Sequence, residues 1–525
     1  MASILDLARM NDSGDLAGGV SEIAAVTGAG AMMVTAVRTA GGRLRLISWQ
    51  LNTAGPVTRL GDSGDAAGGA SNIDIARGDR FVVACRTGAG NLRLISWDID
   101  ATGAFITRRG DSADQAGAAS RIKIVAMTGT LFVTACRTDG GGILRLISWR
   151  LNPDGTLTRL ADSANAAGQV SEIALTRLSE NRVATSVRRD SGELRVIVWS
   201  VSAAGVFARL ADSANAAGQA SLIRATLSST GLLVTAVRAG TAGLRLISWR
   251  INADGHPVRL GDSGNQAGNI TDNSVVVAPD GVVSAVRTAA GALRLIAWSI
   301  DAAGRFTRMG DSASQAGTSS MIATVPGPAV PDAGGHSVTF ATAVRAGNGT
   351  LRLITWGPAV VRLHFKVLTA PALTTATMLT SMQTVYATVG ISVVLAGTEN
   401  LNLPLLNDVD VGECAGATTV EQQQLFANRN NVGTNDVVVY FVRSTIPPLN
   451  GCASHPPGRP SVAVAQGATQ WTMAHEIGHV LGLDHVGDPD RLMMDGGTAN
   501  ITNPPPNLIA SEQSTMLQSP FTVPV

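Results

Sequence analysis

Along most of the first 356 residues, apolar positions alternate with polar ones in short runs, and clusters of Gly, Ala, Asn and Asp separate the runs. Alternation puts every second side chain on a common face, which is strand patterning. The runs recur: an Asp-Ser dipeptide begins at Asp12, Asp62, Asp111, Asp162, Asp212, Asp262 and Asp311, at spacings of 49 to 51 residues. Each period also carries an L-R-[LV]-I-x-W segment, ending at Trp49, Trp97, Trp149, Trp199, Trp249, Trp298 and Trp356, which accounts for seven of the eight tryptophans. Within the first period SEIAAVT, AMMVTAVR, RLRLISWQL and PVTRL read as four strands joined by turns. No segment inside a period sustains helical spacing, so helical solenoids are excluded.

Four strands per fifty-residue repeat is the signature of a propeller blade, and seven repeats predict an all-β seven-bladed β-propeller over residues 1–356. The ends of the array fit a closed ring. Ile4 to Met10, ILDLARM, resembles the fourth-strand segments PVTRL and TLTRL, whereas the last repeat stops at its third strand, LRLITW. The N-terminal strand is therefore expected to complete the last blade and remove the exposed sheet edges at the seam.

Two arginine registers accompany the strands. Arg45, Arg93, Arg145, Arg195, Arg245, Arg294 and Arg352 sit in the third strand on the face of the tryptophan, and need partners among the repeated aspartates or the indole faces. Arg38, Arg86, Arg137, Arg188, Arg238, Arg287 and Arg345 end the second strand. Repetition in every blade argues for architecture, with the Asp-Ser loops as Asx-turns that lock blades. A repeated calcium site is the alternative, because an oxygen-bearing residue follows each aspartate by three positions, as at Asp15 and Asp65. Cys85 and Cys136 take a strand position occupied elsewhere by valine and read as buried thiols.

Forty Lys plus Arg against 39 Asp plus Glu leave no electrostatic footprint for a nucleic-acid partner. The N-terminus lacks the basic and apolar regions of a signal peptide, and the uncharged run from Val367 to Thr398 is broken by Pro371 and Gly390, so no membrane span is expected. Cys414 and Cys452 lie in loop-like sequence and are expected to bridge, which would place the chain in an oxidising, extracellular setting. Such a bridge is worth about 3 to 4 kcal/mol in the loop-entropy account.

After Trp356 the period stops. Residues 357–525 read as an α/β domain: strands at Ala359 to Leu368, Ile391 to Leu395, Asp436 to Val442 and Ser461 to Ala465, and helices at Thr374 to Val389, Thr472 to Leu483 and Ile509 to Leu517. His475 and His479 are four apart on the Thr472 helix, so their imidazoles converge on one side. Gly482 permits the turn that ends the helix and returns His485 as a third nitrogen ligand. Three neutral nitrogens with an open position describe a catalytic zinc site. Glu476, beside His475, is placed to take a proton from water and return it to a leaving amine. The other histidines, His256, His336, His364 and His455, have no ligand spacing.

The stretch HEIGHVLGLDH resembles the metzincin clan of zinc endopeptidases, whose pattern is HExxHxxGxxH followed by a methionine-containing turn. The resemblance implies Zn2+ held by His475, His479 and His485, Glu476 as general base, Gly482 as the turn, and Met493 as the turn methionine, since Pro489 and Leu492-Met493 match the matrixin-like spacing. It also implies that Ser461 to Ala465 is the edge strand along which an extended substrate pairs. Asp495 stands where some members carry a tyrosine, and no propeptide with a cysteine switch is recognisable. The expected activity is zinc-dependent endopeptidase acting on a protein or peptide substrate. The propeller then serves as a recognition or scaffolding module for a carbohydrate or protein ligand. The alternative is a non-catalytic, lectin-like or adhesion protein with a vestigial peptidase fold.

Overall fold

The repeats build antiparallel sheets from consecutive strands. In a computed structural model the first consists of Val20–Thr27, Met32–Thr39, Leu44–Gln50 and Thr58–Asp62, and five more four-stranded sheets follow the same order. The structure describes residues 7–52, 57–240, 242–279, 281–312, 316–328, 339–414 and 416–524. They form two compact units, the first through Gly357 and the second from Pro358.

The seventh blade is assembled from both ends of the first unit. Ser319–Pro326, Phe340–Ala346 and the start of Leu351–Val367 supply three strands, and Leu7–Asp12 pairs with the third. The Ser13 amide donates to the Leu353 carbonyl at 2.9 Å, and Arg352 pairs with Asp12 at 2.6 Å. Closure by the N-terminal strand is therefore as expected, although Ile4 to Asp6 of the expected strand lie outside the described residues.

Both arginine registers are structural, in different ways. In the third strand Arg93 pairs with Asp114 at 2.8 Å and Arg294 with Asp311 at 2.5 Å, while Arg145 donates to Asn165 Oδ1 at 3.4 Å, so the partners are aspartates and asparagines of the Asp-Ser loops. Among the described residues the cation–π contact is elsewhere, with Arg77 over Phe81. Each described Asp-Ser loop repeats one arrangement. In the second, Asp62 Oδ1 accepts the Gly64 amide at 2.6 Å, Asp62 Oδ2 meets Arg59, and Ser63 Oγ accepts the Leu46 amide at 2.9 Å. These carboxylates are engaged by a backbone amide and a guanidinium, which is the blade-locking role. The second-strand arginines reach across blades: Arg38 Nε donates to the Ala70 carbonyl at 2.8 Å, Arg188 to Ala220 at 2.8 Å, and Arg345 to Val20 at 2.8 Å across the seam.

Apolar clusters lie between adjacent blades. Leu44 and Leu46 of one pack with Ile73, Val83 and Trp97 of the next. Cys85 and Cys136 are buried free thiols whose pKa burial pushes up to about 12. All seven repeat tryptophans are fully buried, and six donate their indole N–H to a second-strand hydroxyl, as Trp49 does to Thr35 at 3.0 Å.

The main sheet of the second unit has the order Ile391–Asn400, residues 359–367, Val437–Val442, Ser461–Ala465, Gly451–Cys452, and Asp408–Asp410 pairs with Ser444–Ile446 in a separate two-stranded sheet. The first four strands are parallel and the last antiparallel. Four α-helices accompany it: α1 (Thr375–Ala387), α2 (Val420–Leu425), α3 (Thr472–Val480) and α4 (Ala510–Gln518). Helix α3 is shorter than expected, because the chain turns at Leu481 and Gly482 adopts φ +97°. The expectation that Ser461 to Ala465 forms the sheet edge is overturned. Gly451–Cys452 pairs outside it and all five of its residues are buried. That outer strand is tied to the loop before α2 by the Cys414–Cys452 disulfide. An all-apolar SVAVA run suits an interior strand better than an edge.

The second blade breaks the tryptophan rule. Val83 stands where the other blades carry a hydroxyl, and Trp97 Nε1 is buried with no partner among the described residues. Val83→Thr should restore the bond and raise stability by about 1 kcal/mol. Denaturant unfolding of the full chain checks this; a loss of stability would contradict it, since an unsatisfied hydroxyl there should cost and not gain.

Candidate metal centre

Helix α3 is held from behind and below. On α1, Met378, Met382 and Tyr386 are fully buried, and the Tyr386 hydroxyl donates to the Ala474 carbonyl at 2.9 Å. Below lies Met493, fully buried, with Met494 beside it only half-buried. A Cβ on Gly478 would sit 2.5 Å from Met493 Sδ. Glycine is therefore required in mid-helix for Met493 to approach, despite the helix-propensity cost of about 1 kcal/mol.

His475, His479 and His485 are brought together. Their Nε2 atoms are separated by 3.1, 3.1 and 3.2 Å. The protons lie on the far side of two of the rings: His475 Nδ1 meets the Leu492 carbonyl at 2.8 Å and His479 Nδ1 the Leu483 carbonyl at 2.8 Å. A carbonyl only accepts, so each Nδ1 donates and each Nε2 presents a lone pair to its neighbours. Burial holds His475 down to about 4 and lowers His479, so both rings are neutral at physiological pH. Lone pairs facing one another this closely repel unless a cation lies among them. Among the described residues this is the group of three that could hold a metal ion. The set fits a divalent ion that accepts imidazole nitrogen, zinc above all, and the carbonyl bonds fix ring orientation as supporting bonds do around metal ligands.

Glu476 is 8% exposed, one residue from His475 in the same cleft, and burial pushes its carboxyl up to about 8. Its side chain lies against the backbone of the outer strand, where a Cβ on Gly451 would meet Glu476 Oε1 at 2.6 Å. The cleft has a volume of 790 Å³ and its walls include Glu413, Cys414, Asn450 and Asp484. The turn carrying Met493 is anchored by the buried ion pair of Arg491 with Glu512, at 2.5 Å, and by the Leu492 amide on the Asn507 carbonyl at 3.1 Å.

Gly482, at φ +97°, lies where the chain leaves the helix toward His485. Asp495 is exposed, with Oδ1 3.9 Å from His485 Nδ1. Of the remaining histidines, His256, His364 and His455 are not part of the cluster and His336 lies outside the described residues; His364 Nε2 pairs with Asp436 at 2.9 Å. Sequence reasoning missed Gly478, the Leu492 carbonyl and the Arg491–Glu512 pair. Of these, only Gly478 had a signal, a glycine inside a helix pattern that implies close packing.

No protein-family model matches the sequence, and no curated protein matches it. Among solved structures it is similar to a point mutant of Aleuria aurantia lectin in complex with alpha-methyl-L-fucoside, at 14% identity and a TM-score of 0.37, over 56% of this chain and 96% of that one. It is also similar to Sqt1 from Chaetomium thermophilum, at 12% identity and a TM-score of 0.42, over 67% and 88%. Likeness at this level says nothing about ligands. Among the described residues no helix is long and apolar enough to cross a membrane.

Gly478→Ala should force Met493 away from the helix, costing about 1 to 3 kcal/mol, and reduce the zinc retained after dialysis. Zinc content and thermal unfolding of the full chain check it; wild-type values for both would show that the Met493 contact does not support the cluster.

Proposed function

We propose that residues 357–525 form a zinc-dependent endopeptidase of metzincin-like type, with residues 1–356 as its recognition or scaffolding module. The observation that carries this reading is the triangle of inward-facing Nε2 atoms with Glu476 in the same cleft. His475, His479 and His485 would hold the ion and leave a coordination position toward the cleft. When bound, zinc supplies Lewis acidity to a carbonyl and makes water a better nucleophile near neutral pH.

The remaining work falls to the chain. Glu476 takes the proton of the attacking water on a carboxylate oxygen and delivers it to the leaving amine. Its burial against Gly451 keeps it out of bulk solvent, and a neighbouring cation would bring its raised pKa back toward ionisation. The outer strand Gly451–Cys452 replaces Ser461–Ala465 as the edge for an extended substrate, since its free side has no strand partner among the described residues. Gly478 and Met493, outside the cleft lining, position the ligands without touching substrate. The Cys414–Cys452 disulfide supports an oxidising, extracellular location.

Peptide-library cleavage by the zinc-loaded full chain beside Glu476→Ala tests the reading. The variant should keep its zinc and lose about 10²- to 10⁴-fold in kcat. Equal cleavage by the two, or no cleavage by zinc-loaded wild type, would contradict an endopeptidase. The second result would favour a binding protein that retains the peptidase framework.

A further inference from the structure

The inner strands of the first unit enclose a cavity of 510 Å³ to which all seven repeats contribute. Its wall departs from the repeat. At one position in each inner strand a Ser or Thr precedes in all seven repeats and an Ile follows in six, yet the residue between them is Glu22, Asn72, Arg121, Glu172, Leu222, Asp272 or Met321. Seven blades that needed only packing would be served by one residue type. The backbone is unusual at four of these sites. Asn72, Arg121, Leu222 and Met321 have φ between +51° and +56°, a region L side chains rarely adopt, each at a β-bulge. Bulges re-aim side chains, and strained backbone of this kind clusters at ligand sites.

Part of the wall is explained by architecture. Glu22, Glu172 and Asp272 each use one oxygen to accept the amide of Ile73, Ile223 or Ile322 in the next blade, at 3.0 to 3.2 Å. Lys123 faces Asp74 at 3.7 Å and Arg224 faces Asp272 at 3.5 Å. Three charges remain: among the described residues the Arg121 guanidinium has no carboxylate partner, and Glu22 and Glu172 have no cationic one. Leu222 and Met321 add apolar surface, Met321 being 36% exposed.

We propose that this cavity binds a small zwitterion with an apolar side chain, either a free α-amino acid or a short peptide. Its carboxylate lies on Arg121, for which a guanidinium offers paired donors, and its ammonium on Glu22 and Glu172. Leu222 and Met321 cover the side chain. This site is independent of the peptidase reading.

Isothermal titration calorimetry tests it on the full chain carrying Glu476→Ala, so that no peptide is consumed. The probes are leucine, dileucine, and the same two compounds blocked as N-acetyl or C-amide derivatives. At least one zwitterion should bind, and whichever binds more tightly identifies the source. Removing either end charge should weaken it at least about tenfold. Arg121→Gln and Glu172→Gln, the latter retaining an acceptor for the Ile223 amide, should each weaken it by a similar factor with unfolding unchanged. No binding by either zwitterion at roughly 10 mM, blocked forms that bind as well as their parents, or variants that bind like wild type would overturn the proposal.

Discussion

A buried polar group without a partner costs more than most single contacts contribute, and both units are arranged around that requirement. At the candidate metal centre it appears in its sharpest form. Two imidazoles give their Nδ1 protons to backbone carbonyls, and this turns their Nε2 lone pairs toward each other and toward His485. Such an arrangement is complete only with a cation at its middle. The surrounding elements serve it: Leu492 supplies one carbonyl because Met493 can approach Gly478, and the Arg491–Glu512 pair holds that turn to α4.

In the propeller repetition meets most of the same requirement. Six of the seven indole N–H groups find hydroxyls, guanidiniums reach aspartates or the carbonyls of the next blade, and serine hydroxyls close the loops. Trp97 Nε1 and buried third-strand Nε atoms such as those of Arg45 and Arg93 have no hydrogen-bond partner among the described residues. The period, the four strands and the ring closure were legible because each rests on local patterning repeated seven times. The role of the Arg38 register was not. Its partner is a carbonyl 32 residues away in the next blade, and carbonyls leave no mark in a sequence.

The convergence of His475, His479 and His485, with Glu476 in the same cleft, was legible, because helical spacing and the turn at Gly482 dictate which side chains come together. The sheet edge was misread. Gly451–Cys452 is two residues long, has no alternation to reveal it, and is located by a disulfide to a loop 38 residues earlier. The cavity wall of the first unit was legible only after the structure aligned the repeats, since its residues differ from blade to blade.

X-ray absorption at the zinc edge of the full-length chain tests the central claim most directly. The account predicts one zinc per chain with three imidazole nitrogens at about 2.0 to 2.1 Å and no sulfur. A sulfur ligand, or zinc retained unchanged in His479→Ala, would contradict it.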